Sequence, residues 1–362
     1  MHRNGDGTIP PERRSAVPAA AVGFVTGLER LYGRCSIKAR AIPHPFALDF
    51  PGALRRHAAN PDMNGIPVSD EPSLPISVRL ADFWEMTKPG ITLMVVLTAG
   101  LGYLLAAQNR FDFFLLVHTL LGTGLVSAGA SVLNQVLERD TDALMHRTAD
   151  RPLPAGRMDP DVALSFGVTL AVLGLLDLAL AVNLLTSLLG AAALSGYVFV
   201  YTPLKRLSSL ATVIGAVPGA IPPMMGWSAV RGELDAPAWV LFGILFFWQL
   251  PHFLAIAWLC REDYARGGFP MLPVLDPDGT RTGRQAVLYG AALVPISLLP
   301  SLLGLMGTVY FFGAFAFGLT YLGFAFAFAE ARSNPGARRL MLASLLYFPA
   351  LLLIMLLDRV VS

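Results

Sequence analysis

"DFFLLVHTLLGTGLVSAGASVLNQVLERDTDALMHRT", residues 112–148, joins an apolar run to a cluster of acids and bases. The apolar part is at least as long as the roughly 20 residues that an α-helix needs to cross a bilayer. The polar part begins at residue 134 and holds three acidic and two basic side chains within fifteen positions. The stretch therefore predicts a membrane-spanning helix that ends in an unusually charged segment.

The composition of the whole chain also indicates a membrane protein. Of its 362 residues, 54% are hydrophobic and only 14% are charged, whereas about 25% charged residues are usual in soluble domains. The chain has no Walker loop, no Rossmann glycine pattern, no HExxH and no pattern of interleaved aromatic and basic residues. The expected partner is therefore the lipid bilayer, and no nucleic acid is expected.

Apolar segments near the spanning length recur from residue 88 onward and predict an all-α, polytopic membrane protein. The nine predicted segments are 90–108, 112–136, 161–182, 184–203, 209–230, 238–259, 285–306, 308–330 and 339–358. Residues 1–80 are rich in Pro, Ala and Arg, and they contain no apolar run of that length. We interpret them as a mobile, disordered or surface-lying extension, with a transit peptide as the alternative, before a nine-helix domain at 81–362.

Basic residues concentrate on one side of the predicted membrane. The loops after the even-numbered segments contain Arg139, Arg147, Arg151, Arg157, Lys205, Arg206, Arg261, Arg266, Arg281, Arg284, Arg332, Arg338 and Arg339. The opposite side has only Arg110, Arg231 and Arg359. Because Lys and Arg favour the cytoplasmic side, the N-terminus and the two longest loops, 137–160 and 260–284, are predicted to face the cytoplasm or a mitochondrial matrix.

The first of these loops has a pattern typical of a metal site. Asn134, Glu138 and Asp142 recur every four residues, which places them on one face of a helix end, while Asp140 lies off that face. Neighbouring carboxylates repel one another unless a cation lies between them. Mg²⁺ is suited to this role, because it binds one or two carboxylates together with substrate phosphates. The alternative is a solvated helix end.

Arginine residues follow the acids and favour the metal-site interpretation. Arg147, Arg151 and Arg157 lie in "HRTADRPLPAGR", residues 146–157, and guanidinium forks match phosphate oxygens. Acids for a metal beside bases for phosphate, at a membrane surface, indicate a diphosphate headgroup whose tail lies in the bilayer. A lipid diphosphate is therefore the predicted ligand.

The second loop repeats the theme in "WQLPHFLAIAWLCREDYARGGFPMLPV", residues 248–274. It offers Arg261, Asp263 and Tyr264, and His252 lies further back inside the sixth span. A polar side chain inside a membrane span is a candidate site residue by default, although a histidine bonded to a nearby carbonyl is the alternative. Lys205 is a further candidate for the diphosphate, and its place at a cytoplasmic helix end also follows from topology alone.

Six fragments in the same order resemble the UbiA-type intramembrane prenyltransferases, and within them the members that prenylate haem. They are "FWEMTKPGITLMVVLTA" (83–99), "NQVLERDTDALMHRTADRPLPAG" (134–156), "YTPLKR" (201–206), "VIGAVPGAIPPMMGW" (213–227), "FWQLPHFLAIAWLCREDY" (247–264) and "GGFPMLPV" (267–274). The resemblance covers about residues 82–358. It implies nine helices around a central cavity, with two acidic cytoplasmic loops.

The resemblance also implies roles for residues. Metal ligation falls to Glu138 and Asp142, and a catalytic role to Asn134, Asp140, His252, Asp263 and Tyr264. Diphosphate binding falls to Arg147, Arg151, Lys205, Arg206 and Arg261. The implied substrates are farnesyl diphosphate and protohaem IX, with Mg²⁺ as the expected cofactor. Haem A synthase and cytochrome oxidase assembly factors are the protein partners suggested, in a bacterial inner (plasma) membrane or a mitochondrial inner membrane.

The chain departs from the family pattern at the start of the first span, where "TKPG" (87–90) replaces the commoner "TKPR", so that a basic residue is missing. Position 138 is usually Asp in the family. Two other functions stay open at this stage. A prenyltransferase for a quinone-type aromatic acceptor would favour a second DxxxD cluster, which the chain lacks, and a transporter would have its charge near the bilayer centre.

Overall fold

The computed structural model describes residues 76–108 and 111–361, with the side chains of 80–108 and 111–358. These residues form α-helices joined by short connections, and none of them belongs to a β-strand. The helices are α1 (Ile76–Met86), α2 (Pro89–Ala107), α3 (Phe113–Asp142), α4 (Pro160–Val182), α5 (Leu184–Leu204), α6 (Ala211–Arg231), α7 (Ala236–Leu259), α8 (Arg261–Arg266), α9 (Leu272–Leu275), α10 (Thr280–Leu302), α11 (Thr308–Ala331) and α12 (Asn334–Val361). The predicted extension at 1–80 lies outside the described residues, apart from the beginning of α1.

Nine of these helices, α2–α7 and α10–α12, are long and apolar enough to cross a membrane, which confirms the predicted number within the described part of the chain. The largest difference is in α3, which continues past the predicted end at residue 136 to Asp142. The polar end stays helical because Gln135 donates hydrogen bonds to the carbonyls of Met86 at 2.7 Å and Ser131 at 3.1 Å. α10 also begins earlier than predicted, since the Asp276 carboxylate accepts hydrogen bonds from both the amide and the hydroxyl of Thr282 in its first turn.

Glycines allow α3 and α4 to approach closely. A Cβ atom at Gly129 would lie 2.8 Å from the Gly167 carbonyl oxygen, and one at Gly174 would lie 2.8 Å from the Gly122 carbonyl oxygen. Inside a membrane, apolar helix surfaces gain little by leaving the lipid, so helices associate mainly through close backbone approach at small residues. The glycines therefore hold α3 against α4 and orient its polar end.

The fifth spanning helix, α6, is kinked. α6 consists of two helical pieces, Ala211–Ala220 and Pro222–Arg231, on either side of Ile221. Its glycines pack against neighbours rather than leaving open space: a Cβ at Gly215 would lie 2.5 Å from the Tyr201 ring, and one at Gly219 would lie 2.4 Å from the Gln249 side-chain oxygen. These contacts show that the glycines of α6 serve close helix packing.

The two polar loops lie against each other at one end of the bundle. Met145 from the first loop belongs to a buried cluster with Phe269 and Met271 from the second. Toward the other end, two narrow apolar spaces lie between the helices, and both are lined by Leu241 and Met355. None of the predicted site residues lines either of these spaces.

We expect Gly226→Ala to destabilise the protein, because α2 and α6 touch at this position. The added methyl group would lie 1.8 Å from the Ala99 carbonyl oxygen, which is backbone and cannot rotate away. Overpacking of this kind costs about 1–3 kcal/mol. Thermal unfolding of the purified protein in detergent would measure the loss.

Gly323→Ala is the matched control for this change, because no atom lies within 4 Å of its added Cβ. Equal melting temperatures for the two variants would contradict the close contact between α2 and α6.

Candidate active site

The last three turns of α3 present a row of buried polar side chains. Asn134, Glu138 and Asp142 are exposed by only 1%, 4% and 1%, and their spacing of four residues places them on one face, as predicted. Asp140 is on the exposed side of the helix and forms an ion pair with Arg139 at 3.3 Å. The structure therefore brings Asn134, Glu138 and Asp142 together on one buried face and leaves Asp140 outside it.

Each buried acid is paired with a base from another segment. Lys205 Nζ lies 2.6 Å from Glu138 Oε1, and Arg151 Nη1 lies 2.6 Å from Asp142 Oδ2. Asn134 donates a hydrogen bond to the Thr202 hydroxyl at 3.0 Å. A carboxylate that is removed from water without a partner is strongly destabilising, so these pairs allow the acidic face to exist at the end of a membrane helix.

Lys88 is the site residue that the sequence analysis missed. Its ammonium group donates a hydrogen bond to the Asn134 side-chain oxygen at 3.2 Å, and the residue lies two positions before Gly90, where the family pattern has a further base. Its backbone is left-handed, with φ 47° and ψ 63°, a conformation that is uncommon for a residue other than glycine and concentrates at functional sites. The sequence feature that could have identified it is a lone lysine directly before Pro89, at the break between α1 and α2.

The cations of the site have unequal pKa values. Burial lowers the pKa of Lys88 to about 7, and repulsion by Arg151 adds to the effect. Burial also opposes the charge on Lys205, but interactions with Tyr201 and Glu138 raise its pKa above the ordinary value. Lys205 therefore remains charged at neutral pH, while Lys88 is poised between its charged and neutral forms.

Aromatic rings surround the Lys205 ammonium group. Its nitrogen lies 4.8 Å from the centre of the Tyr201 ring and 5.8 Å from that of Phe269. Tyr197, one helical turn before Tyr201, lies with its ring centre 5.4 Å away from that of Tyr201. The electron-rich faces of such rings attract cations, and their bulk keeps water away from the base.

The second loop joins this site through the first loop. Arg147 lies over the Tyr264 ring at 4.5 Å, and Asp263 accepts a hydrogen bond from the backbone amide of His146 at 3.1 Å. Although burial opposes the charge on Arg147, Tyr264 and Asp263 raise its pKa. Asp263 also pairs with Arg266 on its own helix. The predicted residues Asp263 and Tyr264 thus orient the first loop and its arginine.

Three other predicted residues have different surroundings. Arg261 donates hydrogen bonds to the Trp258 carbonyl at 2.9 Å and the Asn334 side chain at 2.8 Å. His252 is buried, with Nδ1 2.6 Å from the Ser344 hydroxyl and its ring stacked on Trp248. The exposed Arg206 lies at the rim, 3.4 Å from the Thr141 hydroxyl.

The donors present fit a magnesium ion that binds together with a substrate. No three His, Cys, Asp or Glu side chains converge in a metal-binding group among the described residues. Glu138 and Asp142 do provide two buried carboxylates on one helix face, and Mg²⁺ is commonly held by one or two carboxylates, water and substrate phosphates. Cations that could bind such phosphates surround both acids.

Comparison with known proteins identifies the family. Residues 95–349 match the UbiA prenyltransferase family. A protein of Solibacter usitatus named protoheme IX farnesyltransferase is 47% identical over 289 residues, which cover 77% of this chain and 99% of the relative. The chain belongs to the UbiA prenyltransferase family. It is therefore a multi-pass membrane enzyme that transfers prenyl groups.

Other UbiA relatives and structures agree with this assignment. Proteins named protoheme IX farnesyltransferase from Salinibacter ruber and Koribacter versatilis are 45% and 42% identical, and the matches cover 99% and 96% of their lengths and 77% and 79% of this chain. A digeranylgeranylglyceryl phosphate synthase superposes with a TM-score of 0.67 at 17% identity over 79% of this chain and 100% of its own. A UbiA homologue from Archaeoglobus fulgidus bound to GPP and Mg²⁺ superposes with a TM-score of 0.55 at 15% identity, over 76% of this chain and 99% of its own. These two structures share the fold of this chain.

The low pKa of Lys88 predicts that inorganic diphosphate binds with proton uptake above pH 7. Lys88 is then largely neutral in the free site, and a nearby anion favours the charged form and raises its pKa. Affinity for diphosphate should therefore fall as the pH rises through about 7. Calorimetry in two buffers of different ionisation enthalpy measures the protons taken up.

Lys88→Met should abolish most of this uptake. Arg139→Met removes an exposed cation from the other side of α3 and should leave the uptake unchanged. Equal proton uptake by Lys88→Met and the parent chain would show that another group titrates.

Proposed function

We propose that this UbiA-family enzyme transfers the farnesyl group of farnesyl diphosphate to a vinyl group of protohaem IX. The observation that carries the proposal is the shared name, protoheme IX farnesyltransferase, of relatives that are 42–47% identical over nearly their whole length. The paired acids and bases at the end of α3 support it, because a prenyl diphosphate needs a charged site at the membrane surface beside an apolar interior for its tail.

The ion pairs of the site suggest how substrate binds. Lys205, Arg151 and Lys88 are held close to their acidic or amide partners, and each can turn to a phosphate oxygen with a small movement. Arg147 can join them, since its Nε is buried and has no hydrogen-bond partner. Binding of the anion then exchanges partners: the bases move from carboxylates to diphosphate, and the carboxylates become available for a metal.

Glu138 and Asp142 would hold the magnesium ion, with Asn134 beside them on the same face of α3. When bound, the metal neutralises negative charge that accumulates on the departing diphosphate. The chain's own cations add to this effect in a partly buried setting, where electrostatic stabilisation of the leaving group is strong. Tyr197 and Tyr201 are positioned to shield the reacting end of the prenyl chain from water.

The proposed reaction balances in atoms and in charge. The bond between the farnesyl C1 carbon and its oxygen breaks, and both electrons leave with the diphosphate. A vinyl group of protohaem then bonds to the allylic cation through its terminal carbon, and the positive charge passes to the carbon next to the porphyrin. Water adds there and loses a proton, which gives a hydroxyethylfarnesyl side chain and free diphosphate.

We also propose that the polar end of the bundle faces the cytoplasm in a bacterial plasma membrane. The concentration of basic residues in the loops at this end supports the orientation, and the relatives named above are bacterial. The site would then receive the water-soluble diphosphate headgroup from the cytoplasm and the tail from the lipid.

The full-length protein in detergent, supplied with protohaem, farnesyl diphosphate and Mg²⁺, should form a haem that carries a hydroxyethylfarnesyl group. Mass spectrometry detects this product, and a chelator should prevent its formation. Unchanged haem together with prenylation of an aromatic acid such as 4-hydroxybenzoate would instead assign the enzyme to aromatic acceptors.

In the same assay Asp142→Asn should reduce product formation by at least about 100-fold, as expected when charge stabilisation of a leaving group is lost. The matched control is Asp150→Asn, an exposed acid in the same loop, which should retain activity. Full activity of a correctly folded Asp142→Asn protein would exclude a metal-binding role for this carboxylate.

Partner exchange makes a separate prediction about Mn²⁺, a spectroscopic substitute for Mg²⁺. Because Lys205 occupies Glu138 in the free enzyme, metal alone should bind weakly, and inorganic diphosphate should strengthen its binding about tenfold or more. Lys205→Met should bind Mn²⁺ more tightly in the absence of diphosphate and show less coupling. Electron paramagnetic resonance measures free Mn²⁺ in each case.

Arg139→Met is the control for this experiment as well, since it removes an equal charge from the exposed side of α3. A Lys205→Met variant with unchanged Mn²⁺ affinity, with and without diphosphate, would refute the exchange.

A further inference from the structure

A histidine and an aspartate form a pair far from the diphosphate site. His118 is in the second turn of α3, and its Nδ1 lies 2.7 Å from Asp177 Oδ1 on α4. At about 1.5 Å of rise per residue, His118 is about 36 Å along α3 from Asp142. The pair therefore lies near the opposite membrane face from the site described above, and the proposed reaction does not use it.

The packing of α3 and α4 holds this pair together. Gly122, one turn after His118, would place a Cβ atom 2.6 Å from the Leu178 side chain and 3.1 Å from Asp177 Oδ2. Only a glycine at this position lets the two helices come close enough for the contact. Immediately after Asp177, the helix changes to a π-helical turn at Leu178–Val182, a departure from regular geometry that is frequent at functional sites.

The hydrogen bond determines the chemistry of the imidazole. The Asp177 carboxylate engages Nδ1, so Nε2 is the ring nitrogen that remains to bind a ligand. Nε2 has no hydrogen-bond partner among the described residues, and 41% of the His118 side chain is exposed. A histidine that donates one N–H to a carboxylate and offers its other nitrogen is the usual arrangement of a metal-ligating histidine.

The surface around the pair is apolar. Phe114 and Leu121 lie one turn before and after His118, and Leu173 and Leu180 flank Asp177 in the same way on α4. All four side chains are exposed, by 75%, 50%, 51% and 84% respectively. A ligand that combines a metal with a broad apolar body could contact both the imidazole and these side chains, whereas a hydrated ion would gain nothing from them.

We infer that His118 Nε2 is an axial ligand for the iron of a haem that binds on this surface of α3 and α4, as a second haem site. The inference rests on the proposed function in taking haem as the available ligand. The macrocycle would lie on the four apolar side chains. Because His118 is only about 8 Å from the start of α3, the haem propionates would reach the polar membrane surface.

This position defines the role of the site. A haem ligated by His118 is too far from Asn134, about 24 Å along the helix, to receive a prenyl group there. The site therefore holds haem before or after the reaction, at the membrane face opposite the diphosphate site. Its ligand is either protohaem or the farnesylated product, and both present the same iron and ring.

Titration of the full-length protein in lipid nanodiscs with ferric protohaem tests the inference. Visible absorption and electron paramagnetic resonance should show a histidine-ligated haem that His118→Ala loses, with affinity at least about tenfold weaker. Asp177→Asn should retain the ligand but raise the reduction potential, since a neutral partner makes the imidazole a weaker donor. A structural role for the pair would leave the potential unchanged.

His146→Ala is the matched control, because this exposed histidine lies at the other end of α3 and should not alter the spectrum. If His118→Ala does not fold, His118→Tyr should replace the histidine spectrum with that of a tyrosinate ligand. Identical haem spectra and affinities in the parent chain and a folded His118 variant would overturn the site.

A parallel assay separates this site from the proposed function. His118→Ala should still prenylate protohaem supplied in excess, because the residue lies outside the reacting centre. If the parent chain binds haem through His118 but forms no product, the proposed function is rejected and the second haem site is kept. If it forms product but its haem spectrum does not depend on His118, the proposed function is kept and the second site is rejected. Titration with the farnesylated product in place of protohaem shows which of the two the site prefers.

Discussion

The need to neutralise buried carboxylates at the end of α3 determines the arrangement of the polar end of the molecule. Glu138 and Asp142 are almost completely buried, and a buried carboxylate without a cation partner is strongly destabilising. Lys205 comes from the end of α5 and Arg151 from the loop after α3. These pairs draw separate segments of the chain to one helix face, which is why a site forms there.

The same pairs explain why the site can be stable and still reactive. An ion pair in a partly buried setting is costly to break without replacement, but a diphosphate and a metal supply replacement partners of the correct sign. In the proposed reaction, the free enzyme would therefore hold its charges as pairs that substrate and metal exchange. Lys88 differs from the other bases because its partner is the neutral Asn134, and burial, with repulsion by Arg151, lowers its pKa.

Small residues let several helices of the bundle beneath the site approach one another closely. Gly102 and Gly226 let α2 and α6 touch, and Gly129 and Gly174 do the same for α3 and α4. Such contacts suit a lipid environment, where large apolar side chains are as well solvated by lipid as by protein.

The sequence by itself determined the number of spanning helices, the face shared by Asn134, Glu138 and Asp142, and the basic character of the loops, because length, period and composition are local properties. Only the tertiary structure decided which polar residues meet. Asp140 is two residues from Asp142 yet exposed, Arg261 binds Asn334 rather than the acidic face, and Lys88 reaches Asn134 from 46 positions away in the chain. Pairing of charges over such distances follows from the crossing of helices in space, which no pattern along one segment specifies.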